Sequence, residues 1–289
     1  MAIRLIKLWR STMSRVVLPG GTRVPALGIG TWMMGERPAA RKEETESVRL
    51  GIELGLTLVD TAEMYGEGAC ETFLGDALAG LRDKVFLVSK VYPHNASRAG
   101  VVAACERSLK RLKTDHLDLY LLHWRGGVPL AETIIGFEHL KSQGKIRHWG
   151  VSNFDTDDMN ELYETPGGEG CAVNQVLYNL TRRGPEYDLL PWLEEQEIPL
   201  MAYSPIEQGR IKTSGVLAQI AAKHGAEPFQ VALAWVLRNP NNIVIPKASH
   251  PEHMRENAGA RDIKLDNDDL AALDAAFPPP SRKRSLEML

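Results

Sequence analysis

LTLVDTAEMYGEG, residues 56–68, decides the fold. A short apolar run ends on an acid, Asp60, and a phenol follows five residues later at Tyr65. Two further stretches repeat the form: VFLVSKVYP (85–93) ends its run on Lys90, and LDLYLLHWRG (117–126) ends on His123. A nearly continuous apolar run of this length reads as a strand buried on both faces, as in parallel sheets covered by helices. In a parallel α/β barrel the C-terminal strand ends form one rim, where side chains from separate strands converge. An acid, a phenol, an amine and an imidazole meeting there would make a proton-transfer site.

Outward from these runs, strand-like and helical segments alternate through most of the chain. The strand candidates are ALGIGTW (26–32), 56–60, 85–90, 117–123, IRHWGVS (146–152), CAVNQ (171–175), PLMAYS (199–204) and NIVIP (242–246). Between them, Val101, Cys105, Leu109 and Leu112 recur at helical spacing, as do Leu130, Ile134, Phe137 and Leu140, with Gly144 as a stop signal. Eight such alternations predict a (β/α)8 TIM barrel, and the length of 289 residues accommodates one. A doubly wound sheet is the rival, but no G-x-G-x-x-G follows the first strand, and Gly28 and Gly30 lie inside the strand pattern. Ahead of it, RVVLPGGTRVP (15–25) reads as a β-hairpin turning at Pro19, Gly20 and Gly21. Residues 266–277 predict one more helix capped by Asp266, and the Pro-rich basic tail 278–289 is expected to be mobile.

A formal net charge of −3 gives no reason to expect nucleic acid or an anionic membrane as partner. No apolar stretch approaches the roughly 20 residues that span a bilayer. Cys70, Cys105 and Cys171 lack C-x-x-C spacing and read as buried free thiols in a reducing, cytoplasmic setting. Residues 1–14 carry three cations and no acid; they read as an extension ahead of the domain, with an organellar or membrane-surface address as the alternative.

The four rim residues have a joint chemical logic. A free tyrosine titrates near 10 and donates poorly at neutral pH unless its anion is stabilised. An ammonium, Lys90, can do that, and Asp60 can hold the ammonium in place. His123 can then hydrogen-bond a substrate oxygen. Singly, each residue has a plainer use: a solvated lysine, a structural histidine, a helix-capping acid. Phosphate sites in such barrels form in the loops after strands seven and eight. Here these are YSPIEQGRIKTSG (203–215), with backbone amides near Ser204, Ile206, Gln208 and Gly209, and IPKASHPEHMREN (245–257), with Lys247 and Ser249 before a helix N-terminus. No histidine and carboxylate clustering suggests a metal.

The pattern D-T-A-x-x-Y-G, then V-S-K, then L-H-W at successive strand ends resembles the aldo-keto reductase superfamily, across residues 15–277 and with a hairpin plugging the barrel bottom. The resemblance implies reduction of a carbonyl by hydride from NADPH, with Asp60, Tyr65, Lys90 and His123 catalytic and Tyr65 the proton donor. It implies cofactor contacts at Gly30, Thr31, Trp32 and Asp60, at Ser152, Asn153 and Gln175 for the carboxamide, and at Tyr203 for ring stacking. It adds Ser204, Pro205, Ile206, Gln208 and Gly209 for the pyrophosphate, and Lys247, Ser249, His253 and Asn257 for the adenosine end. The chain departs from the family pattern where Ala248 follows Lys247 and His253 takes the place of an arginine, which leaves use of NADH open. Trp32, Tyr92 and Trp124 would join Tyr65 and His123 in an aromatic substrate cup, and RGGVP (125–129) is too short for a large lid. The stretches LLHWRG, NQVLYNL and IPKAS look closest to bacterial members that reduce methylglyoxal and other short aldehydes. A monomer acting on a small carbonyl is expected. Two alternatives stay open: a nicotinamide-binding regulatory subunit without turnover, and a metal-dependent barrel hydrolase. Whether the tail covers the barrel mouth also stays open.

Overall fold

All eight runs fold as strands of one parallel sheet, after a short antiparallel pair. The computed structural model describes residues 14–289; the extension at 1–14 lies outside the described residues except for Ser14. The hairpin is β1 (Arg15–Val17) and β2 (Arg23–Pro25), with Val16 opposite Val24. The barrel strands are β3 (Ile29–Gly30), β4 (Leu58–Asp60), β5 (Phe86–Val91) and β6 (Leu117–Leu122). They continue with β7 (Ile146–Ser152), β8 (Cys171–Leu177), β9 (Leu200–Tyr203) and β10 (Asn242–Val244). Neighbours pair in sequence order, all parallel. Parallel bridges Leu27 to Val244 and Gly30 to Lys247 close the ring between β3 and β10.

That closure explains the early glycines. A Cβ on Gly30 would stand 2.6 Å from the Ile245 carbonyl oxygen, and one on Gly28 would stand 2.8 Å from that of Leu58. Both are demanded by close backbone approach in the barrel wall, not by a nucleotide loop.

Ten helices lie among the described residues: α1 (Arg41–Glu53), α2 (Ala69–Ala77), α3 (Arg98–Leu112), α4 (Leu130–Ser142), α5 (Thr156–Glu164) and α6 (Leu189–Glu195). They continue with α7 (Val216–His224), α8 (Pro228–Leu237), α9 (Pro251–Gly259) and α10 (Asn267–Ala276). The local signals act as expected. Ser97 accepts from the Gly100 amide to start α3, Gly144 turns left-handed at φ +71° after α4, and Asp266 caps α10 in a reciprocal box with Asp269.

Two apolar layers hold the barrel. The helices pack outward-facing strand residues such as Leu87, Tyr120 and Leu122. Inside, Leu58, Val88, Leu119, Leu121, Met201 and Ile243 meet Val16, Leu18 and Val24 of the hairpin, which seals the N-terminal end. Each such buried side chain contributes about 1.5–3 kcal/mol. Strand alternation then carries polar residues onto the same inner face one step higher: Asp60 above Leu58, Lys90 above Val88, His123 above Leu121. The sealed bottom leaves the C-terminal rim as the place where these groups open to solvent. Among the described residues, no helix is long and apolar enough to cross a membrane. Cys70, Cys105 and Cys171 are buried and unpaired.

Candidate active site

The four rim residues form one contact chain. Lys90 is fully buried, and its ammonium donates to Asp60 Oδ2 at 2.8 Å, to the Thr61 carbonyl at 2.9 Å and to the Tyr65 hydroxyl at 3.1 Å. Asp60 uses its other oxygen, Oδ1, to accept from Gln175 Nε2 at 2.8 Å. Tyr65 stands not on a strand but at the start of a tight 3-10 turn, Tyr65–Gly68, anchored by its amide on the Ala62 carbonyl at 3.1 Å. The Tyr65 and His123 rings meet edge-on, 6.0 Å apart.

Burial dominates the electrostatics here. It raises the Asp60 carboxyl and lowers the Lys90 ammonium, while each partner's charge opposes the shift. The Tyr65 hydroxyl is pushed well above its ordinary value, by burial first and by the Asp60 charge second. The phenol is therefore protonated in the resting site. Burial, helped by Lys90, pushes the His123 imidazole down to about 2, so the ring is neutral. Its Nδ1 is sealed without a hydrogen-bond partner.

A second network adjoins the first. Ser152 Oγ donates to the Gln175 carbonyl (2.8 Å), and Asn153 Nδ2 donates to the His123 carbonyl (3.0 Å) and Ser152 Oγ (3.2 Å). The Tyr203 hydroxyl donates to Asn153 Oδ1 at 2.9 Å. Asn153 is held at φ +56°, a left-handed conformation asparagine tolerates better than most residues. Beyond it, Ser204, Glu207 and Gln208 are all left-handed, at φ +46°, +49° and +55°, with Pro205 buried beside them. Three such residues in one loop store strain. Arg182, bonded to Glu207 at 2.8 Å, and Asn179, bonded to its other oxygen at 2.9 Å, hold the loop in that shape. The Gly209 amide is spent internally on the Ile206 carbonyl, while the Ile206 and Gln208 amides have no acceptor among the described residues.

The other sequence candidates fall into three groups. Gly30 is bridged to Lys247 across the barrel seam, and buried Thr31 donates its hydroxyl to the Asp60 carbonyl at 2.7 Å, so its polar group is already engaged. At the mouth, Tyr92 and Trp124 meet edge-on at 6.0 Å and Trp124 lies 5.0 Å from His123, whereas Trp32 is 41 % exposed and apart from that ring cluster. At the far end, among the described residues, Lys247 has no carboxylate within 4 Å and buried Asn257 has no side-chain hydrogen bond; Ser249 Oγ reaches Glu44 Oε1 at 3.5 Å, and His253 is exposed, 5.5 Å from His250.

The sequence reading passed over several positioning groups. Glu63, inside the D-T-A-x-x-Y-G motif, accepts from the Tyr92 amide and Asn95 Nδ2, and Glu67 accepts from the Tyr92 hydroxyl at 3.1 Å. An acid inside the motif, Glu63, and one just after it, Glu67, were the available signal. The tail expected to be mobile has specific partners along the rim: Lys283 with Asp157 (3.2 Å) and Asp188 (3.1 Å), Glu287 with Arg182 (2.6 Å), and Leu286 against the core. Among the described residues, no group of three or more His, Cys, Asp or Glu could hold a metal ion.

Comparison with known proteins agrees in sequence and in shape. The model of the aldo/keto reductase family matches residues 26–277. Methylglyoxal reductase YeaE of Escherichia coli (strain K12) is 52 % identical over 275 residues, 93 % of this chain and 97 % of that protein. Glyoxal reductase of Bacillus subtilis (strain 168) is 35 % identical over 269 residues, 92 % and 93 % of the two chains. The crystal structure of an aldo-keto reductase from Klebsiella pneumoniae in complex with NADPH superposes with a TM-score of 0.93 at 50 % identity, covering 96 % of this chain and 99 % of that one.

Proposed function

The chain belongs to the aldo/keto reductase family, and we propose that it uses NADPH to reduce small aldehydes and ketones, methylglyoxal among them, with Tyr65 as the proton donor. The observation that carries the proposal is the unbroken chain Gln175–Asp60–Lys90–Tyr65, every link between 2.8 and 3.1 Å.

The donor set suits a phosphorylated dinucleotide. Among the described residues, Lys247 is an ammonium without a nearby counterion, Ile206 and Gln208 offer unspent amides on a loop held in one shape, and Asn257 offers an unspent amide group. Ser152, Asn153 and Gln175 would hold the carboxamide, Tyr203 the ring, residues 204–209 the pyrophosphate, and Lys247 with Ser249 the 2′-phosphate. When bound, NADPH supplies the hydride.

The chain's own residues supply the proton. A phenol with a raised pKa is protonated at neutral pH and ready to donate. As the carbonyl oxygen gains charge, Tyr65 gives up its proton, and Lys90 at 3.1 Å meets the phenolate with a positive charge already in place. Asp60 and Gln175 keep that ammonium from turning away. A neutral His123 carries its proton on one nitrogen. A sealed, partnerless N–H would cost more than a sealed lone pair, so the proton sits on Nε2 and can orient the substrate oxygen. Tyr92 and Trp124 give an apolar wall fitted to a short carbonyl, with Glu63 holding the Tyr92 backbone amide and Glu67 its ring hydroxyl.

The test is oxidation of NADPH by the purified chain with methylglyoxal and a set of short aldehydes. Turnover on several of them is expected. Tight NADPH binding with no turnover on any would instead favour a nicotinamide-binding regulatory protein.

A further inference from the structure

Glu44, in the first turn of α1, is a carboxylate with only 1 % of its surface exposed. Its neighbour Glu43 is paired with His250 at 2.6 Å, but Glu44 has no cationic nitrogen within 4 Å among the described residues. Its Oε2 accepts from the Gly35 amide at 2.9 Å, and its Oε1 faces the Ser249 hydroxyl at 3.5 Å. One turn on, Ser47 Oγ donates to the Ala248 carbonyl at 2.7 Å, so α1 is latched to residues 248 and 249 at two points.

Lys247 stands beside this latch, also without a close counterion among the described residues. Desolvation lowers its pKa, and Glu44 is the group that most opposes that shift, ahead of Glu36; Arg37 adds to the lowering. Neither group has an oppositely charged partner within 4 Å among the described residues, and through its contact with Ser249 the carboxylate adjoins the place that would take the ribose 2′ substituent. A buried carboxylate left without a cation costs stability, so a fold that keeps one invites a functional account. A 2′-phosphate brings close to two negative charges, which Glu44 repels. A 2′-hydroxyl brings none and can donate to a carboxylate.

We propose that Glu44 sets the dinucleotide preference of this chain: standing behind Lys247 and Ser249 as a resident anion, it holds down the advantage of NADPH and lets NADH compete. The inference rests on the cofactor site of the proposed function.

The test is equilibrium binding of NADPH and of NADH without substrate, read by quenching of tryptophan fluorescence. Glu44→Gln keeps an oxygen for the Gly35 amide and removes only the charge. It should raise the preference for NADPH over NADH by about tenfold. Glu44→Asp keeps the charge and should stay within roughly twofold of wild type. An unchanged ratio in Glu44→Gln, or an equal shift in Glu44→Asp, overturns the proposal, the latter by assigning the effect to shape. If the wild type binds neither dinucleotide, the reductase reading itself falls, and this inference with it.

Discussion

Replacing Lys90 by Met tests the buried ion pair directly. Both partners are sealed, with Lys90 at 0 % and Asp60 at 2 % exposure, and they meet at 2.8 Å. Methionine fills much of the lysine stem's volume but leaves Asp60 with Gln175 as its only side-chain donor among the described residues. Removing one member of a buried pair costs about 3–5 kcal/mol, because the remaining charge is desolvated and uncompensated. At roughly 2 °C per kcal/mol for a chain of this size, Tm should fall by about 6–10 °C near neutral pH. The pH dependence has a definite sign. Burial raises the folded-state pKa of Asp60, and Lys90 opposes it; without Lys90 the rise is unopposed. A raised folded pKa means tighter proton binding in the native state, so the associated stability is present at low pH and lost as pH rises through that value. The Tm deficit of the variant should therefore be smaller at pH 5 than at pH 8. Adding Asp60→Asn, which removes the stranded charge, should recover more than half of the loss. Thermal melts of wild type, single and double variants across pH supply the measurement. A single variant as stable as wild type, or a double variant no better than the single, would refute the ion-pair account.

Two further outcomes follow from the geometry. Gly30→Ala would place a Cβ 2.6 Å from the Ile245 carbonyl oxygen at the barrel seam, so thermal melting should show a loss of about 1–3 kcal/mol. His123 is neutral well below physiological pH, so the pH profile of turnover should carry no step from it between about pH 5 and 8; a break near 6.5 that vanishes in His123→Asn would contradict this.

The barrel was legible because its strands are buried on both faces, which leaves runs such as residues 117–122, apolar but for Asp118, that no amphipathic helix would show. The tetrad was legible for a related reason: strand alternation carries the inner face from Leu58 to Asp60 and from Val88 to Lys90 without a break in pattern. What escaped the sequence depends on distance along the chain. Glu44 and Ser249 are 205 residues apart, Gln175 and Asp60 are 115 apart, and neither spacing has a periodicity to reveal it. The tail reads as mobile because it is Pro-rich and charged, yet those charges find Asp157, Asp188 and Arg182 on loops far earlier in the chain.

The central claim is that Tyr65 gives the proton, and Tyr65→Phe isolates it, since the ring stays and only the hydroxyl leaves. The decisive measurement is NADPH affinity and single-turnover NADPH oxidation on the same preparation of that variant, beside wild type. The account predicts that the variant binds NADPH as wild type does while its turnover falls by about a hundredfold or more. Turnover within a few-fold of wild type, with binding intact, would contradict it and move the proton to another group.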